Sequence, residues 1–178
     1  MIKNNFFILS GGPGGGKTSL LDYLASKGFQ YIPETARQII KDRLSKGLSP
    51  RPDPAIFARE MFFKDYENYM SNSQTTSPLF FDRSFIDSAA LLYSADMSAF
   101  NKIRDTHLIN RYNSKVFITP PWKEIYQTDN ERDQTYEQSI AVYEWVCNWY
   151  RENNYEMVLL PKDTIDNRAE FILKHIAG

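Results

Sequence analysis

The chain has 178 residues, 42% of them hydrophobic, which is the length of one domain with enough apolar side chain for a sizeable core. Twenty-one Lys and Arg against 22 Asp and Glu leave a formal net charge of -1, so nothing global draws the chain to nucleic acid or an anionic membrane. The one cysteine, Cys147, excludes a disulfide framework, and within Val142-Tyr143-Glu144-Trp145-Val146-Cys147 it reads as a buried structural thiol.

Met1 to Asn5 lead into only four apolar residues, Phe6 to Leu9, too few for a signal peptide or a membrane span. No apolar run of ~18 residues follows, so a soluble, cytoplasmic protein is expected, forming one domain over residues 1–178. Phe6-Phe7-Ile8-Leu9 predicts a strand ending in a glycine-rich turn, and Thr18 to Ala25 carry apolar residues at helical spacing. Gly28 closes that helix. Phe29 to Pro33 predict a second strand and Thr35 to Leu44 a second helix. Gly47 to Pro54 contain three prolines and read as a loop, with Asp53 placed to cap a helix over Ala55 to Met70. The aromatics of that helix, Phe57, Phe62, Phe63, Tyr66 and Tyr69, read as packing residues. Ser71 to Ser77 are a polar break.

Pro78 to Asp82 predict a third strand, buried on both faces because its apolar run is continuous. Ser84 to Leu92 and Ala99 to Arg111 follow as helices, and Lys115 to Thr119 as a fourth strand that Pro120-Pro121 turns out of the sheet. Trp122 to Gln134 are polar and without period, so a surface loop is expected. A helix over Thr135 to Glu152, a strand over Tyr155 to Leu160 and a helix over Ile165 to His175 complete the chain. Strands alternating with helices predict an α/β fold, a parallel sheet with helices on both faces.

Gly11-Gly12-Pro13-Gly14-Gly15-Gly16-Lys17-Thr18 satisfies G-x-x-x-x-G-K-[ST] between a predicted strand and a predicted helix. Glycines let successive N–H groups converge on phosphate oxygens, and the helix that Ser19 continues adds the positive end of its dipole. Lys17 supplies a point charge to the β- and γ-phosphates, and the Thr18 hydroxyl is a ligand for Mg2+. Such a loop needs a second acid at the carboxyl end of a neighbouring strand, and Asp82 fits; as the alternative, Asp82 and Arg83 are a surface pair with Ser84 capping the next helix. Glu34 follows the second strand at the same edge, where it could take a hydroxyl proton or bind substrate, or only pair with Arg37 one turn on. In the loop Asp129-Asn130-Glu131-Arg132-Asp133, Arg132 is a candidate to reach the γ-phosphate.

The order of P-loop, Glu34-Thr35-Ala36-Arg37, Phe81-Asp82-Arg83-Ser84, then Trp122 with Asp129-x-x-Arg132, resembles the P-loop kinases of the nucleoside and nucleotide kinase group. More closely it is similar to the AAA-type ATPase/kinase domain family that includes ribosylnicotinamide kinase. The resemblance implies a three-layer P-loop NTPase fold with a five-stranded parallel sheet in the order 2-3-1-4-5 and a lid loop. It also implies that Asp82-Arg83-Ser84-Phe85-Ile86-Asp87 corresponds to Asp-Arg-Gly-x-x-Asp, with Asp82 toward Mg2+ and Asp87 toward the substrate. Asp129-Asn130-Glu131-Arg132 then corresponds to the lid's Asp-Gly-x-Arg, with Ser84 and Asn130 standing where the pattern has glycine. Asn101-Lys102-Ile103-Arg104 lacks the final Asp of a guanine-reading Asn-Lys-x-Asp, which favours ATP over GTP. The resemblance also implies a site for the nucleotide base in the loop between the fifth strand and the final helix, which carries Arg168.

Two functions are expected to compete. One is a Mg2+-dependent kinase passing the γ-phosphate of ATP to a small hydroxyl-bearing, nucleoside-like acceptor, with Glu34 or Asp87 orienting or deprotonating it. The other is an ATP- or GTP-dependent regulatory module with no small-molecule acceptor. A nucleic-acid end kinase is disfavoured, since no Lys and Arg cluster is present to track phosphates.

Overall fold

A computed structural model describes residues 1–50, 52–126 and 135–176. Five strands, β1 (Phe6–Gly11), β2 (Gln30–Ile32), β3 (Leu79–Asp82), β4 (Lys115–Thr119) and β5 (Glu156–Leu159), form one parallel sheet in the order β2-β3-β1-β4-β5. Among the described residues seven helices connect and flank them: α1 (Lys17–Ser26), α2 (Thr35–Ser45), α3 (Pro54–Ser71), α4 (Phe85–Ala95), α5 (Met97–Ile109), α6 (Tyr136–Glu152) and α7 (Ile165–Ile176). Element order and type follow the sequence expectation, and the sheet order is the one the resemblance implied. No helix among the described residues is long and apolar enough to cross a membrane.

Every residue of β1 is buried, because the strand is central and covered on both faces, so its apolar run is continuous rather than alternating. Successive side chains then serve opposite cores. Phe6 and Ile8 join Phe81, Val116 and Ile118 in a core covered by α3, α4 and α6, whereas Phe7 and Leu9 join Phe80, Phe117 and Val158 under α1 and α7. Of the α3 aromatics, Phe62 and Tyr69 are core residues meeting Phe85 edge-on, with Tyr66 packed beside them. Phe63 is 55% exposed and belongs to no core.

The expected loop from Trp122 is in part regular, since Lys123–Ile125 form a short 3-10 turn. Residues 127–134, including Asp129 and Arg132, lie outside the described residues. Cys147 is buried, and burial pushes its thiol pKa up, as a structural thiol requires.

Register determines where the chemistry collects. Leu9 pairs Asp82 across β1 and β3, Gly11 pairs Thr119 across β1 and β4, and Ile32 pairs Phe81 across β2 and β3. In a parallel sheet this aligns the strands' carboxyl ends, so the P-loop, Asp82 and Glu34 emerge along one edge.

Candidate active site

The phosphate cradle begins where β1 ends. Gly16 caps α1 with φ 74°, a left-handed conformation that favours glycine, and no side chain among the described residues caps that helix, so its positive end suits an anion. Gly12 needs to be glycine for a different reason: a Cβ there would sit 2.5 Å from the Ser139 carbonyl oxygen of α6. Lys17 is buried to 7% exposure, and its ammonium donates to the Gly12 carbonyl at 3.0 Å, closing the loop on itself. Pro13, Gly14 and Gly15 form the turn between, and Ser19 is exposed on the first turn of α1.

Beside the cradle, the Thr18 hydroxyl donates to Asp82 Oδ2 at 3.3 Å. Asp82 is 3% exposed, and its Oδ1 has no hydrogen-bond partner among the described residues. Burial raises the Asp82 pKa against the attraction of Lys17. A buried carboxylate with an unsatisfied oxygen next to a hydroxyl is the donor set that Mg2+ uses when substrate phosphates and water complete its shell, so these residues fit that ion.

A second group stands across from it. Glu34 accepts from Arg83 Nε at 3.0 Å and from Arg37 Nε at 3.1 Å, one arginine on each carboxylate oxygen. Burial opposes its ionisation, but the charges of Arg83, Lys17 and Arg37 outweigh burial and bring its pKa to about 2. The anticipated Glu34–Arg37 pair is therefore present, and it is half of a larger arrangement. Arg83 has φ 68°, an unusual conformation for a residue with a side chain, immediately after β3. Its N–H donates to the Leu9 carbonyl at 3.0 Å, extending the sheet ladder by one bond while the side chain turns toward Glu34.

Asp87 is 4% exposed and heavily occupied. It accepts from Ser10 Oγ at 2.5 Å, Ser84 Oγ at 3.0 Å and Tyr150 OH at 2.6 Å, and lies 3.8 Å from Arg83 Nη1. Of the alternative reading of Asp82-Arg83-Ser84 only the cap is present, Ser84 accepting from the Ile86 N–H; Asp82 is buried and faces Thr18 while Arg83 pairs with Glu34, so the two do not form a surface pair.

Two further residues, Asp65 and Tyr150, carry no motif that would have drawn attention to them, and Arg168 was singled out only for the nucleotide base. Asp65 of α3 is buried and accepts from the Ser88 hydroxyl, with its pKa raised to about 7, chiefly by burial. Tyr150 of α6 reaches Asp87 of α4 on the same side of the sheet. Arg168 is 2% exposed and donates to the Gly15 carbonyl at 2.9 Å, so it adjoins the phosphate loop itself.

A parallel sheet of this order, with a Lys–Thr P-loop after its central strand and an acid ending the adjacent one, defines a P-loop nucleotide-binding protein. The AAA_28 profile, described as an AAA domain, matches residues 6–168, and the chain belongs to that family. Its fold is that of the P-loop nucleoside and nucleotide kinases. Deoxyadenosine kinase from M. mycoides, solved with the products dCMP and dCDP, superposes with a TM-score of 0.69 at 12% identity, covering 97% of this chain and 98% of that one. NadR in complex with NR superposes with a TM-score of 0.68 at 16% identity, covering 96% of this chain and 50% of NadR. Thymidylate kinase from Ehrlichia chaffeensis gives 0.62 at 16% identity, covering 99% of this chain and all (100%) of that one. No curated protein matches by sequence.

Proposed function

We propose that this protein is a cytoplasmic, Mg2+-dependent phosphotransferase that moves the γ-phosphate of ATP to the hydroxyl of a small, nucleoside-like acceptor. The observation that carries the reading is the ionised Glu34, clamped by Arg83 and Arg37 at the strand edge next to the P-loop. Triphosphate binding alone needs the cradle, Thr18 and Asp82; a fixed carboxylate on the far side suits an acceptor.

In this reading the acceptor oxygen bonds to the γ-phosphorus as the bond to the β–γ bridging oxygen breaks, and the hydroxyl proton passes to Glu34 or to the product phosphate. A carboxylate with a pKa near 2 is a weak base, which the loose transition state of phosphoryl transfer tolerates, so Glu34 chiefly orients the hydroxyl. Thr18 and Asp82 hold the metal, which neutralises charge on the β- and γ-oxygens when bound. Lys17 exchanges its Gly12 carbonyl for phosphate oxygen. The N–H groups of residue 12 and residues 14–19 line the cradle. Asp87, already accepting from three hydroxyls, holds Arg83 in place rather than taking the proton. Arg132 is assigned to the phosphates from the lid. ATP is preferred as donor because Asn101 and Arg104 sit within α5, bonded to each other, and form no guanine-reading loop.

ADP release from MgATP, measured with and without a panel of nucleosides and related hydroxyl compounds, tests the reading. Acceptor-stimulated turnover that falls with Asp82→Ala and with Arg132→Ala is expected, as is loss of MgATP binding in Lys17→Ala. If MgATP binds with micromolar affinity and no acceptor raises turnover, the regulatory-module reading replaces this one.

A further inference from the structure

Arg168 presents an electrostatic anomaly. Its guanidinium is almost wholly buried, yet it forms no ion pair among the described residues, its Nε has no hydrogen-bond partner, and burial lowers its pKa. Arg83 is partly buried, and Glu34, Asp87 and Asp82 surround it with negative charge. An uncompensated buried cation is expensive, so a fold that keeps one gains something from its position.

The contacts of Arg168 lie on three elements. Nη2 donates to the Gly15 carbonyl at 2.9 Å, Nη1 lies 3.0 Å from where a Gly16 Cβ would be, and the guanidinium carbon is 5.6 Å from the Trp122 ring centre. Its mounting is firm, because α7 is tied to α1 by the hydrogen bond from the Tyr23 hydroxyl to Asp166. A trans peptide directs its C=O and N–H to opposite sides. With the Gly15 oxygen held by Arg168, the N–H of Gly16 is turned the other way, toward the interior of the loop where phosphate is received.

We infer that Arg168 is a positioning residue for nucleotide binding: it locks the Gly15–Gly16 peptide with its N–H toward the phosphates and backs the loop with a positive charge that the bound phosphates compensate. Through Trp122, at the root of the segment leading to Arg132, it also joins the cradle to the chain that follows β4. The inference rests on the proposed nucleotide-binding reading and concerns the binding step, so it can be tested without an acceptor.

The experiment is calorimetric titration of MgATP into the full chain, as wild type, Arg168→Lys and Arg168→Gln, with amide hydrogen exchange followed across residues 11–18. Lysine keeps the charge without the fork, and glutamine keeps a donor without the charge. Both are expected to weaken MgATP binding about tenfold or more, the effect of one charge-assisted hydrogen bond, and to speed exchange in the loop while β3 stays protected. Wild-type affinity and wild-type loop exchange in either folded variant overturn the inference. Absence of MgATP binding in the wild type overturns the proposed function itself. If one variant does not fold, the other decides.

Discussion

Replacing Asp65 with asparagine is expected to change how stability depends on pH. The carboxyl is buried beneath α3 and accepts a hydrogen bond from Ser88, and its pKa stands at about 7 against an ordinary 3.8. Burial is the main cause; Asp87 and Glu34 add to it, and the Ser88 hydroxyl opposes it. Between pH ~4 and ~7 the folded chain therefore binds a proton at Asp65 that the unfolded chain releases. Stability owed to this group is complete at low pH and declines as pH rises through that window. A shift of roughly 3 units at about 1.4 kcal/mol each sets a ceiling near 4 kcal/mol. Asparagine has the same shape, keeps an oxygen for Ser88 and does not titrate. Urea unfolding of both proteins from pH 4 to 8, taken as a difference, cancels the titration of every other group. The variant is expected to gain on the wild type steadily with pH, by on the order of 2–4 kcal/mol across the range. Parallel stability curves would refute the assignment of a raised pKa to Asp65.

Glu34→Gln is expected to lower acceptor-dependent kcat by about 10²-fold or more with MgATP affinity nearly unchanged, measured by coupled ADP release; an equal loss in ATP binding would place Glu34 in the cradle instead. The same variant leaves Arg83 with Asp87 as its nearest carboxylate partner, so a fall in melting temperature is also expected. Asp53 accepts from the Ala55 and Ile56 N–H groups at the start of α3, and Asp53→Ala is expected to cost about 1 kcal/mol in urea unfolding with kcat and KM unaltered. A large kinetic effect there would show that α3 moves during turnover.

Much of the scaffold was readable along the chain because it depends on neighbours in sequence. Phe6 to Leu9 announce a doubly covered strand, Asp53 and Ser84 announce helix starts, and the P-loop encodes its turn in glycines. The boundaries moved where caps set them, as when α4 runs on past Leu92 to Ala95 and Asp96 both ends it and begins α5. Glu34 and Asp82 were legible as site candidates because each follows a strand at its carboxyl end. The partners of these acids were not legible. Glu34 was paired in sequence with Arg37, three residues away, while its second arginine is 49 residues distant. Asp65 sits in an aromatic helix whose pattern describes packing, and nothing there points to Ser88, 23 residues on.

By itself the sequence determined the alternation of strands and helices, the phosphate loop and the acids that end two strands, since periodicity, turn chemistry and motif spacing are local properties. Family resemblance supplied the sheet order, which spacing could not. Only the tertiary structure decided which charges meet: Arg83 between Glu34 and Asp87, Tyr150 on Asp87, and Arg168 on Gly15 across 153 residues. The physical reason is that a side chain's protonation and direction depend on what is packed against it, and helix docking on the sheet brings those neighbours from distant parts of the chain.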